Sequence, residues 1–202
     1  LLRKKYPEDI CQIHLSGELG EMNEGVLRIF APMGISRVIF HRKVSICEMK
    51  KIVSRDKKEN REYEAFALNE MCHFHGGFCN SMHCDELPHM CLVPYRLGQV
   101  RDLLSGHPRT GDYRETKEDS TPYPVIGASG CGLCALFELK EAGITHLKLV
   151  SRGNYTEDTL RDIRAMKTAL QILENSSSKE AYIEAMKEAL FPVGCSGNCY
   201  YL

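Results

Sequence analysis

The stretch Glu62-Tyr63-Glu64-Ala65-Phe66-Ala67-Leu68 opens with charged and apolar side chains in alternation, a period of two that predicts a β-strand. Residues 37–41 before it and residues 145–150 after it are also rich in β-branched and apolar side chains, and residues 11–16 read as an earlier strand. Segments with helical periodicity separate these strands. The alternation of strands and helices predicts βα units around a parallel sheet.

The predicted helices lie between and after the strands. The first carries one apolar face, formed by Met22, Val26, Phe30 and Met33. The second begins at Ser45 and Glu48, which have capping-box spacing. Three more helices are predicted. One lies near residues 133–142, one follows the acidic turn Glu157-Asp158, and one covers residues 179–190. The helix after Glu157 has the longest apolar stripe, which we expect to face the core: Leu160, Ile163, Met166, Leu170 and Leu173.

Four strands with their helices correspond to about half of a (β/α)8 barrel, a fold of roughly 250 residues. The predicted class is therefore α/β, a TIM-barrel-like partial barrel with a long Cys-rich loop insertion. We divide the chain into βα units over 1–70, the Cys-rich region over 71–131, and a last βα unit with its helix over 132–202 of the same domain. The chain starts at Leu1 without Met, so we expect it to be truncated. The missing barrel half is then either cut from this sequence or supplied by a second barrel half or a hetero-partner subunit.

The composition favours a soluble cytoplasmic protein. The 26 basic and 27 acidic side chains nearly cancel, so the chain has no overall positive charge that would attract nucleic acid. Its apolar runs extend over only a few residues, whereas a membrane span needs about 20. The start of the chain also lacks the pattern of a secretory signal.

The chain has 10 Cys and 8 His, and many of them are concentrated in one short region. Disulfides would require an oxidising compartment, which nothing here indicates. Mixed Cys and His ligands suit zinc, although the usual paired knuckles are absent. An iron–sulfur cluster needs four thiolates and tolerates wide spacing. These three alternatives are open for the cluster of Cys72, His73, His75, Cys79, His83, Cys84, His89 and Cys91.

A family resemblance emerges from the same region. Glu64-x-Phe66, followed by Cys72, four residues, Gly77 and then Cys79, resembles the signature of the collagenase-like peptidases, the thirty-second peptidase family of unknown catalytic type. Three further stretches resemble that family, so the similarity covers nearly the whole chain: Ile35 to Ile39, Cys91-Leu-Val-Pro-Tyr95-Arg96, and Cys131 with the run from Glu138 to Leu149.

The resemblance implies a barrel domain with a [4Fe–4S] cluster on four cysteines, which are Cys72, Cys79, Cys91 and Cys131. It also implies oxygen-independent or RNA-directed hydroxylation, with RNA or a small aromatic molecule as substrate, beside the older label of peptidase. The chain departs from the family pattern at three places: Asn69-Glu70 replaces Gly-Ser/Ala, Tyr95 replaces a Cys, and Ser151 replaces the Gly before Arg152.

Four charged residues are catalytic candidates because they lie near strand ends. Lys148 and Arg152 belong to the fourth strand and its end, where barrel enzymes place their active sites, and they are suited to bind an anionic co-substrate or phosphate. Arg42 follows the second strand, at the same end of the predicted sheet as Arg152. Glu64 lies in the third strand. The alternative for each cation is an ordinary solvated charge, and for Glu64 a simple pair with a nearby Arg.

Two other functions are open. A peptidase would need an activated nucleophile or a metal-bound water. The chain has no HExxH motif, and Gly127-Ala-Ser129-Gly130 is not a nucleophile elbow, but a pair such as Cys72 with His75 is available. The third function is a zinc-stabilised, non-catalytic binding module. Cys195 and Cys199 near the end of the chain form either a small metal knuckle or two loose thiols.

Overall fold

The structure is a computed structural model, and it describes residues 2–7, 10–19, 23–56, 60–69, 126–151 and 154–201. These residues form four strands: β1 (His14–Leu15), β2 (Arg37–Ile39), β3 (Glu62–Leu68) and β4 (His146–Leu149). They also form six α-helices: α1 (Leu2–Lys5), α2 (Glu24–Phe30), α3 (Ile46–Arg55), α4 (Leu136–Glu141), α5 (Thr156–Asn175) and α6 (Lys179–Leu190).

The four strands make one parallel sheet in the order β1-β2-β3-β4. Val38 pairs with Tyr63, and Phe66 pairs with Lys148. The predicted α/β class with a parallel sheet is therefore confirmed. The barrel, its Cys-rich insertion and the division of the chain remain predictions, since residues 70–125 lie outside the described ranges.

The boundaries of β3 agree with the prediction, while the other three strands are shorter at one or both ends. Helix α3 begins as the capping-box spacing predicts, because the Ser45 hydroxyl accepts a hydrogen bond from the Glu48 backbone N–H at 3.2 Å. The helix predicted near residues 133–142 starts as a 3-10 turn, Leu133–Ala135, and continues as α4. Gly143 ends it with a φ of 84°.

One face of the sheet packs against helices and forms the core. Val38, Tyr63 and Ala65 point into this core from β2 and β3, and each is nearly inaccessible to solvent. The helices contribute apolar side chains to the same cluster: Leu27, Met49, Ile52, Leu136, Leu139 and Met186. Helix α6 is also held by a buried polar contact, because the Tyr182 hydroxyl donates to the Leu133 carbonyl at 2.7 Å.

The predicted core stripe of α5 is wrong for most of its members. Leu160, Ile163 and Leu170 are exposed at 46%, 50% and 37%. The buried positions of the helix are Asp162, Ala165, Ala169 and Leu173. The helix therefore presents a different face to the core, on which Asp162 accepts a hydrogen bond from the side chain of Asn69, a partner that periodicity does not reveal.

The predicted face of the first helix is partly wrong as well, since Met33 is exposed and the buried residue of α2 is Leu27. Within the described ranges, none of the helices combines the length and the apolar character needed to cross a membrane.

The orientation of α5 can be tested with two matched truncations. Replacing Leu173 by Ala should lower the free energy of unfolding by about 2–5 kcal/mol, because a buried side chain leaves a cavity. Replacing Leu160 by Ala should lower it by less than about 1 kcal/mol, because that side chain is already in contact with water. Urea denaturation followed by circular dichroism measures both. A large loss for Leu160→Ala would contradict the orientation described here.

Candidate functional site at the carboxyl end of the sheet

Three of the four predicted catalytic candidates meet at the carboxyl end of the sheet. Arg42 follows β2, Glu64 lies on β3, and Lys148 lies on β4 in register with Phe66. Parallel strands end at the same edge, so the topology brings these separate segments together. Arg152, the fourth candidate, lies outside the described residues.

The ring of Phe66 lies between the two cations. The guanidinium carbon of Arg42 lies 3.8 Å from the centre of the ring, and Lys148 Nζ lies 5.2 Å from it. Cations at these distances are attracted by the electrons of the ring face. Phe66 is itself buried, so the ring is a fixed platform for both charges.

Glu64 is 9% exposed and is held by two cations. Its Oε2 lies 3.1 Å from Arg37 Nη1, and its Oε1 lies 3.7 Å from Lys148 Nζ. Glu64 therefore pairs with a nearby Arg and also contacts Lys148. Arg37 also binds Glu62 at 2.8 Å, and its guanidinium holds the pKa of the Glu62 carboxyl below its ordinary value. Arg37 thus binds two carboxylates, and the sequence analysis did not single it out.

Arg42 has unused hydrogen-bonding capacity. Its Nε is buried and has no hydrogen-bond partner within the described part of the chain. Its Nη1 lies 3.8 Å from the carboxylate of Glu18, whose side chain is 41% exposed. A buried guanidinium donor without a partner is costly.

Cys131, the predicted fourth ligand of the cluster, lies at the end of β3. Its backbone forms an antiparallel bridge with Leu68, and the Gly132 N–H donates to the Ala67 carbonyl at 2.8 Å. Its thiol is buried, and burial raises the pKa of Cys131 to about 11. The three other predicted ligands, Cys72, Cys79 and Cys91, lie outside the described residues.

The C-terminal tail, residues 195–201, packs against the segment that contains Cys131. The Cys131 N–H donates to the Asn198 carbonyl, and the Tyr200 N–H donates to the Cys131 carbonyl, both at 2.8 Å. Cys199 therefore lies in a parallel bridge with Cys131 and is half-buried. The thiols of Cys195 and Cys199 are both free, and the choice between a metal knuckle and two loose thiols stays a prediction. In the parts of the chain that the structure describes, no three Cys, His, Asp or Glu side chains converge as a metal site.

Two tyrosines of the tail connect Cys131 to the cation site. The ring of Tyr200 meets that of Phe66 edge to face, with centroids 6.4 Å apart. The hydroxyl of Tyr201 donates to the Phe66 carbonyl at 2.9 Å. Sequence reasoning missed both residues, because the tail is distant in sequence from β3 and carries no local signal of where it packs.

The departure from the family pattern at Asn69 has a conformational reason. Asn69 has a φ of 70°, in the left-handed region that glycine adopts most easily. Asparagine is one of the few other residues that tolerate this conformation. Asn69 therefore allows a glycine-like turn after β3 and adds a side-chain amide there.

The comparisons with known proteins agree with these motifs. The profile of Peptidase family U32 matches residues 2–200. A relative, tRNA hydroxylation protein P from Escherichia coli (strain K12), is 32% identical over 79 residues. That alignment covers 39% of this chain and 17% of the relative, so the chain spans only a small part of the relative's length. No solved structure matches significantly.

The burial of Cys131 predicts low reactivity in metal-free protein. The thiolate is the nucleophile, and a pKa raised from 9.0 to about 11 lowers its fraction about a hundredfold at about pH 8. Iodoacetamide should therefore modify the exposed Cys47 and Cys195 first and Cys131 last. Peptide mass spectrometry over a time course measures the order. Modification of Cys131 as fast as Cys195 would contradict the buried position.

Proposed function

Since the chain belongs to peptidase family U32, we propose that it is an iron–sulfur protein that acts in RNA-directed or oxygen-independent hydroxylation. A relative named for tRNA hydroxylation supports this activity. Membership of the family rests on a match over nearly the whole chain.

The proposed cofactor is a [4Fe–4S] cluster on Cys72, Cys79, Cys91 and Cys131. Four thiolates are the ordinary ligand set of such a cluster. Cys131 fits this role, because its thiol is buried and its backbone is fixed on both sides at the end of β3. A bound cluster supplies one-electron transfer. Zinc on the same thiols is the alternative, and it would leave a binding module without redox chemistry.

The proposed substrate contacts are made by the cations around Phe66. Arg42 and Lys148 would bind a phosphate of RNA or an anionic co-substrate, because Arg42 has an unused buried donor and Lys148 is only partly covered. Glu64 would orient Lys148 through their contact at 3.7 Å. We expect Arg152 to contribute a further positive charge from the segment after β4.

One observation supports this proposal above the others. A buried thiol and the cations Arg42 and Lys148 lie at the same end of β3, and Tyr200 contacts both Cys131 and Phe66. A redox centre and an anionic substrate would therefore be neighbours. We further propose that the sheet is part of a (β/α) barrel with a Cys-rich insertion, in a cytoplasmic protein.

The cluster can be tested by anaerobic purification. The wild-type protein should contain about four iron atoms per chain and show the broad visible absorption of an iron–sulfur cluster. Cys131→Ser should lose iron, whereas the matched variant Cys134→Ser should retain it. The reverse pattern would show that the wrong member of this Cys pair was assigned. Colourless protein containing zinc would support the binding module, and gelatin cleavage by metal-free protein would support the peptidase.

The cation site can be tested by separating turnover from cluster content. Lys148→Ala and Arg42→Ala should each lower RNA hydroxylation about tenfold to a hundredfold, because a charge-assisted contact to an anion is lost. Both variants should keep their iron, since neither side chain is a proposed ligand. Lys50→Ala, on the exposed side of α3, is the control. Hydroxylated nucleosides are counted by mass spectrometry after RNA digestion, and unchanged turnover in both variants would contradict the assignment.

A further inference from the structure

The side chain of Asn69 joins three elements at the carboxyl end of the sheet. Asn69 follows β3 and is 5% exposed. Its amide Nδ2 donates to the Val150 carbonyl at 3.1 Å and to Asp162 Oδ2 at 2.6 Å. One amide group therefore connects the end of β3, the end of β4 and the second turn of α5.

Asp162 is fully buried, at 0% exposure. Its second oxygen, Oδ1, lies 3.4 Å from the guanidinium of Arg161, which also binds Asp158 at 2.7 Å. Burial of a carboxylate is costly unless hydrogen bonds compensate it. An alanine here would pack like Ala165 and Ala169, which are buried on the same face of α5. The buried Asp162 carboxylate thus has a desolvation cost that an apolar residue at the same position would not have.

The backbone of Asn69 is fixed as well. Its N–H donates to the Gly130 carbonyl at 2.8 Å, directly before Cys131. Its carbonyl accepts a hydrogen bond from the hydroxyl of Tyr200. The backbone of Asn69 therefore contacts the turn that carries Cys131, while its side chain contacts the strand that carries Lys148.

We propose that the Asn69 amide and the Asp162 carboxylate are a positioning pair, which fixes the end of β4 with Lys148 against the turn with Cys131. This inference rests on the proposed function, because the role it gives the pair is to fix the distance between a redox centre and an anion site. Neither side chain needs to touch the substrate or the cluster. The pair acts through the Val150 carbonyl, next to the last residue of β4.

Amide hydrogen exchange tests the pair without reference to iron. The Val150 N–H donates to the Leu68 carbonyl at 3.1 Å, so its exchange reports the junction of β3 and β4. In Asn69→Gly, which retains the backbone conformation, and in Asp162→Ala, this amide should exchange about tenfold faster. Asp162→Asn keeps an acceptor oxygen and should restore the protection. Amides of α3 should be unchanged in all variants.

Asp158→Ala is the matched control, because it removes a carboxylate that binds Arg161 on the same helix but does not contact Asn69. It should leave the exchange of Val150 as in wild type. If Asp162→Ala does not fold, Asn69→Gly alone decides the question. Unchanged exchange in Asn69→Gly would overturn the positioning pair, and so would equal acceleration in Asp158→Ala.

A second readout connects the pair to the proposed centre. Asn69→Gly should retain iron but change the electron paramagnetic resonance spectrum of the reduced cluster, because the turn with Cys131 is no longer held against β4. An unchanged spectrum together with altered exchange at Val150 would overturn the link to the centre. Absence of iron from the wild-type protein would overturn the proposed function, whereas the exchange data would still decide whether the pair fixes β4.

Discussion

Two backbone hydrogen bonds of 2.8 Å join Cys131 to the C-terminal tail, and a third of the same length joins Gly132 to Ala67 of β3. A buried backbone group without a partner destabilises the folded state, so segments at the end of a strand must find partners from elsewhere in the chain. Here the partners come from a turn and from the tail. The position of Cys131 is therefore a property of the whole fold and not of its local sequence.

The second constraint is the charged face of the sheet. Helices cover the face with Val38 and Tyr63, and the opposite face carries Arg37, Glu64 and Lys148. Charges that are largely buried must be paired, and Glu64 satisfies this requirement with two cations. Arg37 binds two carboxylates in these pairs, whereas the buried Arg42 Nε has no partner among the described residues.

The sequence predicts local features of this fold well. The strand over residues 62–68 and the cap at Ser45 depend on neighbouring residues, and both agree with the structure. The buried face of α5 was not predicted, because an apolar stripe indicates which residues can be buried but not which partner the helix meets. Asp162 is buried through a hydrogen bond to Asn69, 93 residues away in sequence.

The same distinction between local and long-range contacts applies to the candidate site. Arg42 and Lys148 were identified because strand ends of a parallel sheet meet at one edge, a rule that needs only strand positions and topology. Arg37, Tyr200 and Tyr201 were missed, because their contacts depend on which distant segment packs beside β3. Residues that carry charge at a strand end can thus be found from sequence, whereas residues that hold them in place cannot.

The C-terminal tail is the distant segment that connects Cys131 with the cation site. Tyr200 bonds to the backbone of Cys131 and packs on Phe66, the same ring that holds the guanidinium of Arg42. The backbone of Cys131 is therefore linked to the cation site through Tyr200 and Phe66. A well-packed interior has little free volume between such contacts. The proposed redox centre and the proposed anion site, for this reason, share one packed set of side chains at the end of β3.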